Sequence, residues 1–304
     1  MKQLTYAFML LLNFYSCDSK SKNISILTKQ TNNMNQIEYN ITFSFKNVGY
    51  QIFINNILVD QRYNGGMNNS FNINEFFNNQ EVQKIKIKLF KIDNSNITRE
   101  DLLAQQCSIF RNDKNTDEFT TFHKITFQTN ETSIPIYEIN DNIKLTDKIP
   151  FIATDILVGA VDLSKIDKNI LEKNVREKFE KLRLELDNGD YNNYLKEIDI
   201  RNNNYFKSNY YNDSEIQKYM TNATNTLKEY KEKMLPIENY KMVISGNGKL
   251  VTLERIDKEY LGDCVLLAKD SSDKVLFLNY ITLFIPQNEQ NLKIYNMNAK
   301  ATSL

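Results

Sequence analysis

The stretch Ile37–Phe45, which reads IEYNITFSF, decides the fold of the first half of the chain. Its apolar residues occupy every second position and are separated by polar side chains. Successive side chains of a β-strand point to opposite faces of a sheet, so this alternation predicts a strand with one buried face. A sheet with one apolar face must bury that face against another layer.

Further short strands are predicted on either side of clear turn signals. Tyr50–Ile54 alternates in the same way, and Asn55-Asn56 separates it from Ile57–Val59. Asn tolerates positive φ, so this pattern predicts a hairpin with a two-residue turn. The other segments with strand character are Phe71–Ile73, Ile85–Leu89, Ser108–Phe110, Phe119–Thr129 and Ile134–Ile139. Since no long helical pattern interrupts them, residues 36–150 are predicted to form an antiparallel β-sandwich domain.

The pattern changes after Pro150. The apolar stretch Phe151–Val161 predicts a buried strand that links two halves of the chain. Three helices are predicted beyond it, because apolar residues then recur at steps of three and four. The helices are expected over Leu171–Leu186, over Tyr191–Phe206 with Asp190 as N-cap, and from Asp213 to Met234.

Strands return in the last quarter of the chain. Tyr240–Ser245 and Lys249–Glu254 flank Gly246-Asn247-Gly248, which is a strong hairpin signal. Cys264–Ala268, Val275–Ile285 and Leu292–Tyr295 have strand character as well. The whole chain is therefore predicted to be α+β. A domain of about three helices and an antiparallel β-meander, residues 151–304, follows the sandwich.

The balance of charge argues against nucleic acid as a partner. The chain has 304 residues, with 38 basic and 38 acidic side chains. Such a balance creates no field that attracts a polyanion.

The chain contains no Trp, which counts mildly against a surface that recognises glycans through aromatic platforms.

Residue types that carry catalysis or bind metal are scarce. His123 is the one histidine, and no Gly-Xaa-Ser-Xaa-Gly motif accompanies it. A structural zinc site needs four Cys or His ligands at close spacing, and the chain does not offer them. The sequence therefore predicts no metal, no cofactor and no enzymatic activity. A pair of acidic residues that meet in the fold remains the alternative, which would make the protein a hydrolase.

Two groups of side chains are candidates for binding. Lys84, Lys86 and Lys88 alternate with apolar residues, a pattern that favours protection of an edge strand over a contact face for an acidic partner. An aromatic group consists of Tyr205, Phe206, Tyr210 and Tyr211. It predicts either an exposed recognition patch or a packing joint between helices and a sheet, with equal weight.

The first seventeen residues have the layout of an export signal. Lys2 precedes the largely apolar segment Leu4–Phe14, and Ser16 and Cys17 follow it. The apolar run is too short to span a bilayer. Ser16 and Cys17 match the end of the lipobox of bacterial lipoproteins, and the segment Met1–Asn23 resembles that family, although Phe14 and Tyr15 depart from its pattern.

The lipobox resemblance implies processing and membrane attachment. Residues 1–16 would be a signal peptide cleaved by the lipoprotein signal peptidase. Cys17 would carry acyl chains such as palmitate, and residues 17–35 would form a tether. This places the protein in the cell envelope, on the periplasmic or surface face of the outer membrane. Cys107 and Cys264 would then be left either to form a disulfide or to lie buried as separate thiols.

The whole layout loosely resembles exported lipoproteins that neutralise protein toxins. That resemblance implies a non-catalytic binding protein with a protein partner in the envelope. The alternatives are a surface lipoprotein that binds glycans through the sandwich domain and the carboxylate-pair hydrolase.

Overall fold

The computed structural model describes residues 36–63, 65–272 and 274–299. The predicted signal peptide and tether, including Cys17, lie outside the described residues. The described residues belong to one compact unit of mixed α and β structure, with antiparallel sheets and five α-helices. No helix in this part of the chain is both long enough and apolar enough to cross a membrane.

Two four-stranded antiparallel sheets form the first half. The elements in chain order are β1 (Ile37–Phe45), β2 (Gly49–Ile54), β3 (Ile57–Arg62), β4 (Met67–Asn72), β5 (Val82–Phe90), β6 (Ile97–Thr98), helix α1 (Arg99–Leu103), β7 (Gln106–Asp113), β8 (Glu118–Ile125), β9 (Ser133–Ile134) and β10 (Ile136–Lys144). The first sheet has the order β4-β1-β7-β8 and the second has the order β10-β5-β2-β3. The predicted hairpin between β2 and β3 is confirmed, with φ of 50° at Asn55 and 68° at Asn56.

Both sheets bury side chains in one hydrophobic core, called here the first core. Ile41 of β1, Ile52 of β2 and Ile87 of β5 all belong to it and are inaccessible to solvent. A fully buried side chain of this kind stabilises the fold by about 1.5–3 kcal/mol. The alternation in Ile37–Phe45 is therefore confirmed, because every second residue of β1 is buried.

The segment after Pro150 differs from its prediction. A short 3-10 helix over Ala153–Leu157 replaces the predicted strand. The hydroxyl of Thr154 donates to the carbonyl of Phe77 at 2.8 Å, which fastens this turn to the first half. The backbone N–H and C=O groups of this turn form hydrogen bonds between residues three positions apart. The segment therefore needs no partner strand to pair these groups.

Four helices follow: α2 (Lys168–Asp187), α3 (Tyr191–Glu197), α4 (Asp199–Ser208) and α5 (Asp213–Leu227). The apolar positions that predicted α2 are all buried, and Asp190 caps α3 as predicted by accepting from the amide of Asn193. The second predicted helix is broken at Ile198, whose φ of −94° and ψ of 7° are not helical. Helix α5 ends at Leu227, short of the predicted end at Met234.

A third antiparallel sheet ends the described chain. Its strands are β11 (Tyr240–Ser245), β12 (Leu250–Arg255), β13 (Leu267–Lys269), β14 (Val275–Phe284) and β15 (Lys293–Ala299). The order is β11-β12-β14-β13, and β15 pairs with β14. The hairpin at Gly246-Asn247-Gly248 is confirmed, with Ser245 opposite Leu250. This sheet and α2 share a second core.

A buried carboxylate joins the second sheet to the third. The Oε1 atom of Glu254 accepts hydrogen bonds from the Gln61 amide at 2.8 Å and from the Tyr280 hydroxyl at 2.6 Å. The cores also interlock, because Leu58 of β3 lies in the second core and Phe284 of β14 lies in the first. The boundary at residue 150 stays a prediction of where the sandwich architecture ends and the α+β architecture begins.

We predict that the close approach of the Tyr63 ring at this joint makes substitution of Gly262 costly. A Cβ there would lie 2.2 Å from Cε2 of Tyr63, and the φ of Gly262 is +78°. The matched control is Gly65→Ala, because Gly65 also has positive φ, +86°, but its Cβ position has only Cδ1 of Ile92 nearby, at an uncrowded 4.0 Å.

Gly65→Ala should cost about 1 kcal/mol of unfolding free energy through backbone strain. Gly262→Ala should cost about 2 kcal/mol more, because Tyr63 must move. Urea denaturation of both variants measures the difference. Equal losses would contradict the close approach.

Candidate functional site

The outward side of the first sheet, which faces away from the first core, is called here the open face. Directly opposite residues in the register share this side, because the alternate residues point into the first core. All of its side chains are half-buried or exposed. They are Glu38, Asn40, Thr42, Ser44, Asn68, Ser70, Asn72, Gln106, Ser108, Phe110, Asn112, Phe119, Thr121 and Lys124.

The open face carries an aromatic pair in a surface of low charge. The rings of Phe110 and Phe119 stack with centroids 4.8 Å apart and an angle of 13° between their planes. Phe119 lies on the edge strand β8 and is 59% exposed. The only charged side chains of the face are Glu38 and Lys124, and apart from the two phenylalanines the others end in amides or hydroxyls. An exposed aromatic group with few charges around it is typical of the centre of a protein interface.

The lysines of β5 do not protect an edge, so the favoured interpretation of Lys84, Lys86 and Lys88 is wrong. Strand β5 is central, because it pairs with β10 on one side and β2 on the other. Lys88 lies opposite Glu138 with 3.2 Å between Nζ and Oε2. Lys86 lies over the ring of Phe53, 4.7 Å from its centroid. Two of these three lysines are thus already engaged within the second sheet.

The aromatic group in the helices is a packing joint. Tyr205, Phe206 and Tyr211 surround Tyr219 of α5, with ring centroids 5.1–6.2 Å apart. Phe206 is only 6% exposed. Tyr210 is half-buried and adopts a φ of 55° at the end of α4. The structure therefore favours the packing alternative over a recognition patch, and it adds Tyr219, which sequence reasoning missed.

Hydrogen bonds beside this joint hold the end of α4 against the first half of the chain. Asn74 donates its side-chain amide to the carbonyl of Ser208 at 3.3 Å, and Lys114 donates to the carbonyl of Asn209 at 3.2 Å. Arg201 of α4 is buried and donates to the Tyr219 hydroxyl at 3.0 Å. Burial raises the pKa of nearby Glu75, and the charge of Arg201 opposes that rise.

The single histidine connects the edges of the first two sheets. Nε2 of His123 on β8 lies 2.8 Å from Oδ2 of Asp141 on β10. Cys107 is the thiol that could act as a nucleophile with His123, and it is buried and inaccessible. Burial raises the pKa of the Cys107 thiol to about 12, so the thiol stays protonated and unreactive.

The two described cysteines form no disulfide. Cys107 and Cys264 are both free and buried. Cys107 lies in the first core and Cys264 in the second, where each packs as a small apolar side chain. In the described ranges, no three His, Cys, Asp or Glu side chains come close enough together to hold a metal ion.

We predict that Phe206 supports the fold and that Phe119 does not. Phe206→Ala should lower the unfolding free energy by about 3 kcal/mol, because it empties a packed aromatic site. Phe119→Ala, the matched control at an exposed position, should change it by less than about 0.5 kcal/mol. Chemical denaturation of both variants measures the two values. A small effect of Phe206→Ala would favour the recognition patch instead.

Known proteins add nothing to this geometry. The chain matches no protein-family model, no curated protein and no solved structure. The functional conclusions therefore depend on the described residues and on the N-terminal resemblance alone.

Proposed function

We propose that the chain is an exported, lipid-anchored and non-catalytic protein that binds a protein partner in the cell envelope through the open face. The observation that carries the proposal is the stacked pair Phe110 and Phe119 in a surface of low charge. For the fold, the proposal is that the first two sheets pack as an antiparallel β-sandwich. The helices and a meander-like third sheet follow as an α+β domain.

The chemistry of the open face supports a protein partner. Aromatic side chains dominate the energy of protein interfaces, since they remove a large apolar area from water at small entropic cost. Covering Phe119 fully would contribute about 2 kcal/mol. The amide and hydroxyl groups around it can exchange their bonds to water for bonds to a partner. No charged group near the centre would need to be stripped of water.

The anchor fits this role. Acyl chains on Cys17 would hold the protein at the periplasmic or surface face of the outer membrane, and residues 17–35 would separate the folded part from it. Position at the envelope favours a partner that crosses or enters that compartment. The loose resemblance to toxin-neutralising lipoproteins makes an incoming protein toxin the leading candidate.

A glycan is the second candidate occupant of the open face. The observation that favours it is the combination of an aromatic stack with many uncharged amides and hydroxyls, among them the Thr42–Ser70 pair at 2.7 Å. Sugars offer apolar ring faces for stacking and hydroxyls for hydrogen bonds. The same face thus has the groups that both occupants would use.

We predict that the partner is lost when the aromatic group is removed. The full chain, immobilised and exposed to envelope extract of its source, should retain one stoichiometric protein, identified by mass spectrometry. Phe119→Asn should reduce the retained amount at least about tenfold, in line with loss of a central aromatic contact. Ile136→Asn is the matched control, because Ile136 on β10 is 58% exposed and lies outside the open face. Retention of the partner by Phe119→Asn, or recovery of glycan alone, would contradict a protein partner at this face.

We also predict that Cys17 carries the anchor. In a bacterial host, the intact chain should incorporate radioactive palmitate and fractionate with membranes. Cys17→Ser should abolish both, because the thiol that accepts the lipid is gone. Ser19→Ala, two residues further on, should leave both unchanged. An intact chain that takes up no palmitate would contradict the lipid anchor.

A further inference from the structure

An acidic groove runs along the exposed side of α2, away from the residues of the open face. Its volume is about 440 Å³. Carboxylates line it at Glu177, Glu180, Glu185 and Asp190, together with Lys181 and the apolar side chain of Leu184. Residues 177, 180, 181 and 184 follow one another at helical spacing, so a single face of α2 presents them.

Glu185 is the unusual member of this groove. The residue is 8% exposed, and its Oε2 atom has no hydrogen-bond partner. Its Oε1 atom lies 3.8 Å from Nζ of Lys181, beyond hydrogen-bond distance. Burial raises the pKa of Glu185, and the charge of Lys181 opposes that rise. A buried carboxylate without full pairing is costly to the free protein.

The neighbouring charges are already engaged. Lys178 and Lys181 both bind Glu197, and these bonds lower the pKa of Glu197 although its burial works against them. Arg183 donates to Glu180 at 2.6 Å. Glu185 is therefore distinguished from the other carboxylates of the groove by its burial and by an oxygen without a hydrogen-bond partner, whereas Glu177 and Asp190 are exposed to solvent.

We propose that this groove binds the basic side chain of a partner protein. The stem of an arginine or lysine lies along Leu184, which is 42% exposed, and its cation pairs with Glu185. The carboxylates of the groove do not converge as a metal site requires, since no metal-holding group of three exists in the described chain. An extended organic cation fits a groove that is acidic along its length and apolar at Leu184.

The probe is the peptide acetyl-Ala-Arg-Ala-amide, titrated into the purified full chain while the backbone amide NMR shifts are followed. Its matched partner is the same peptide with citrulline, which replaces the guanidinium by a neutral urea of the same shape. The arginine peptide should bind with a Kd on the order of 1 mM, as expected for a single small contact. It should shift the amides around residues 184–185. The citrulline peptide should shift none of them.

Two variants test whether the cation binds at Glu185 in this groove. Glu185→Gln keeps the shape of the side chain and should weaken binding at least about tenfold, as expected for a lost charge pair. Leu184→Lys fills the groove with a cation of its own and should abolish binding, which keeps the test valid if Glu185→Gln folds poorly. Glu229→Gln, at an exposed position beyond α5, is the control and should bind as the unaltered chain does.

Three results would overturn the proposal. They are equal shifts with the citrulline peptide, unchanged binding by both groove variants, and binding of free agmatine without binding of the arginine peptide. The last would assign the groove to a small diamine instead of a protein side chain. None of these results depends on the open face, so the failure of one proposal is distinguishable from failure of the other.

Discussion

The buried carboxylate of Glu254 is the contact on which the relation between the sheets depends. It brings together a glutamine from β3 and a tyrosine from β14, and Nζ of Lys241 lies 3.3 Å from its second oxygen. Hydrogen bonds to a charged group contribute about 1.5–3 kcal/mol each, provided that every partner is satisfied. The charge of Glu254, added to burial, raises the pKa of Tyr280 and keeps its hydroxyl a donor. These contacts hold residues that are far apart in the chain in fixed positions relative to one another.

The same alternation that builds the first core also creates the open face. Every second residue of β1 is buried, so the residues between them must face outward together with those of β4, β7 and β8. The inner set is constrained by packing in the first core, whereas the outer set takes no part in that packing. A stacked phenylalanine pair on that outer set is therefore more informative about binding than any aromatic group in the core.

Much of the fold follows from local pattern, and the parts that do not follow have a common physical cause. The alternation of Ile37–Phe45, the turn at Asn55-Asn56 and the apolar stripe of α2 depend on neighbours in sequence, and all are observed. The central position of β5 depends on pairing with β10, about fifty residues away. The lysine pattern alone therefore could not show that β5 is a central strand and not an edge strand. The break at Ile198 and the burial of Glu185 depend on packing between helices. Tyr219 joins the aromatic group only because α5 folds back on α4.

We expect the two cores, joined at Glu254, to unfold together. Native-state hydrogen exchange of the full chain at rising urea concentrations measures this, with amides of β5 and β12 as reporters of the first and second core. Both strands should exchange through one opening, with the same free energy and the same dependence on urea. If β12 opened at a clearly lower free energy while β5 stayed protected, the two cores would unfold independently, and the contact at Glu254 would not couple them.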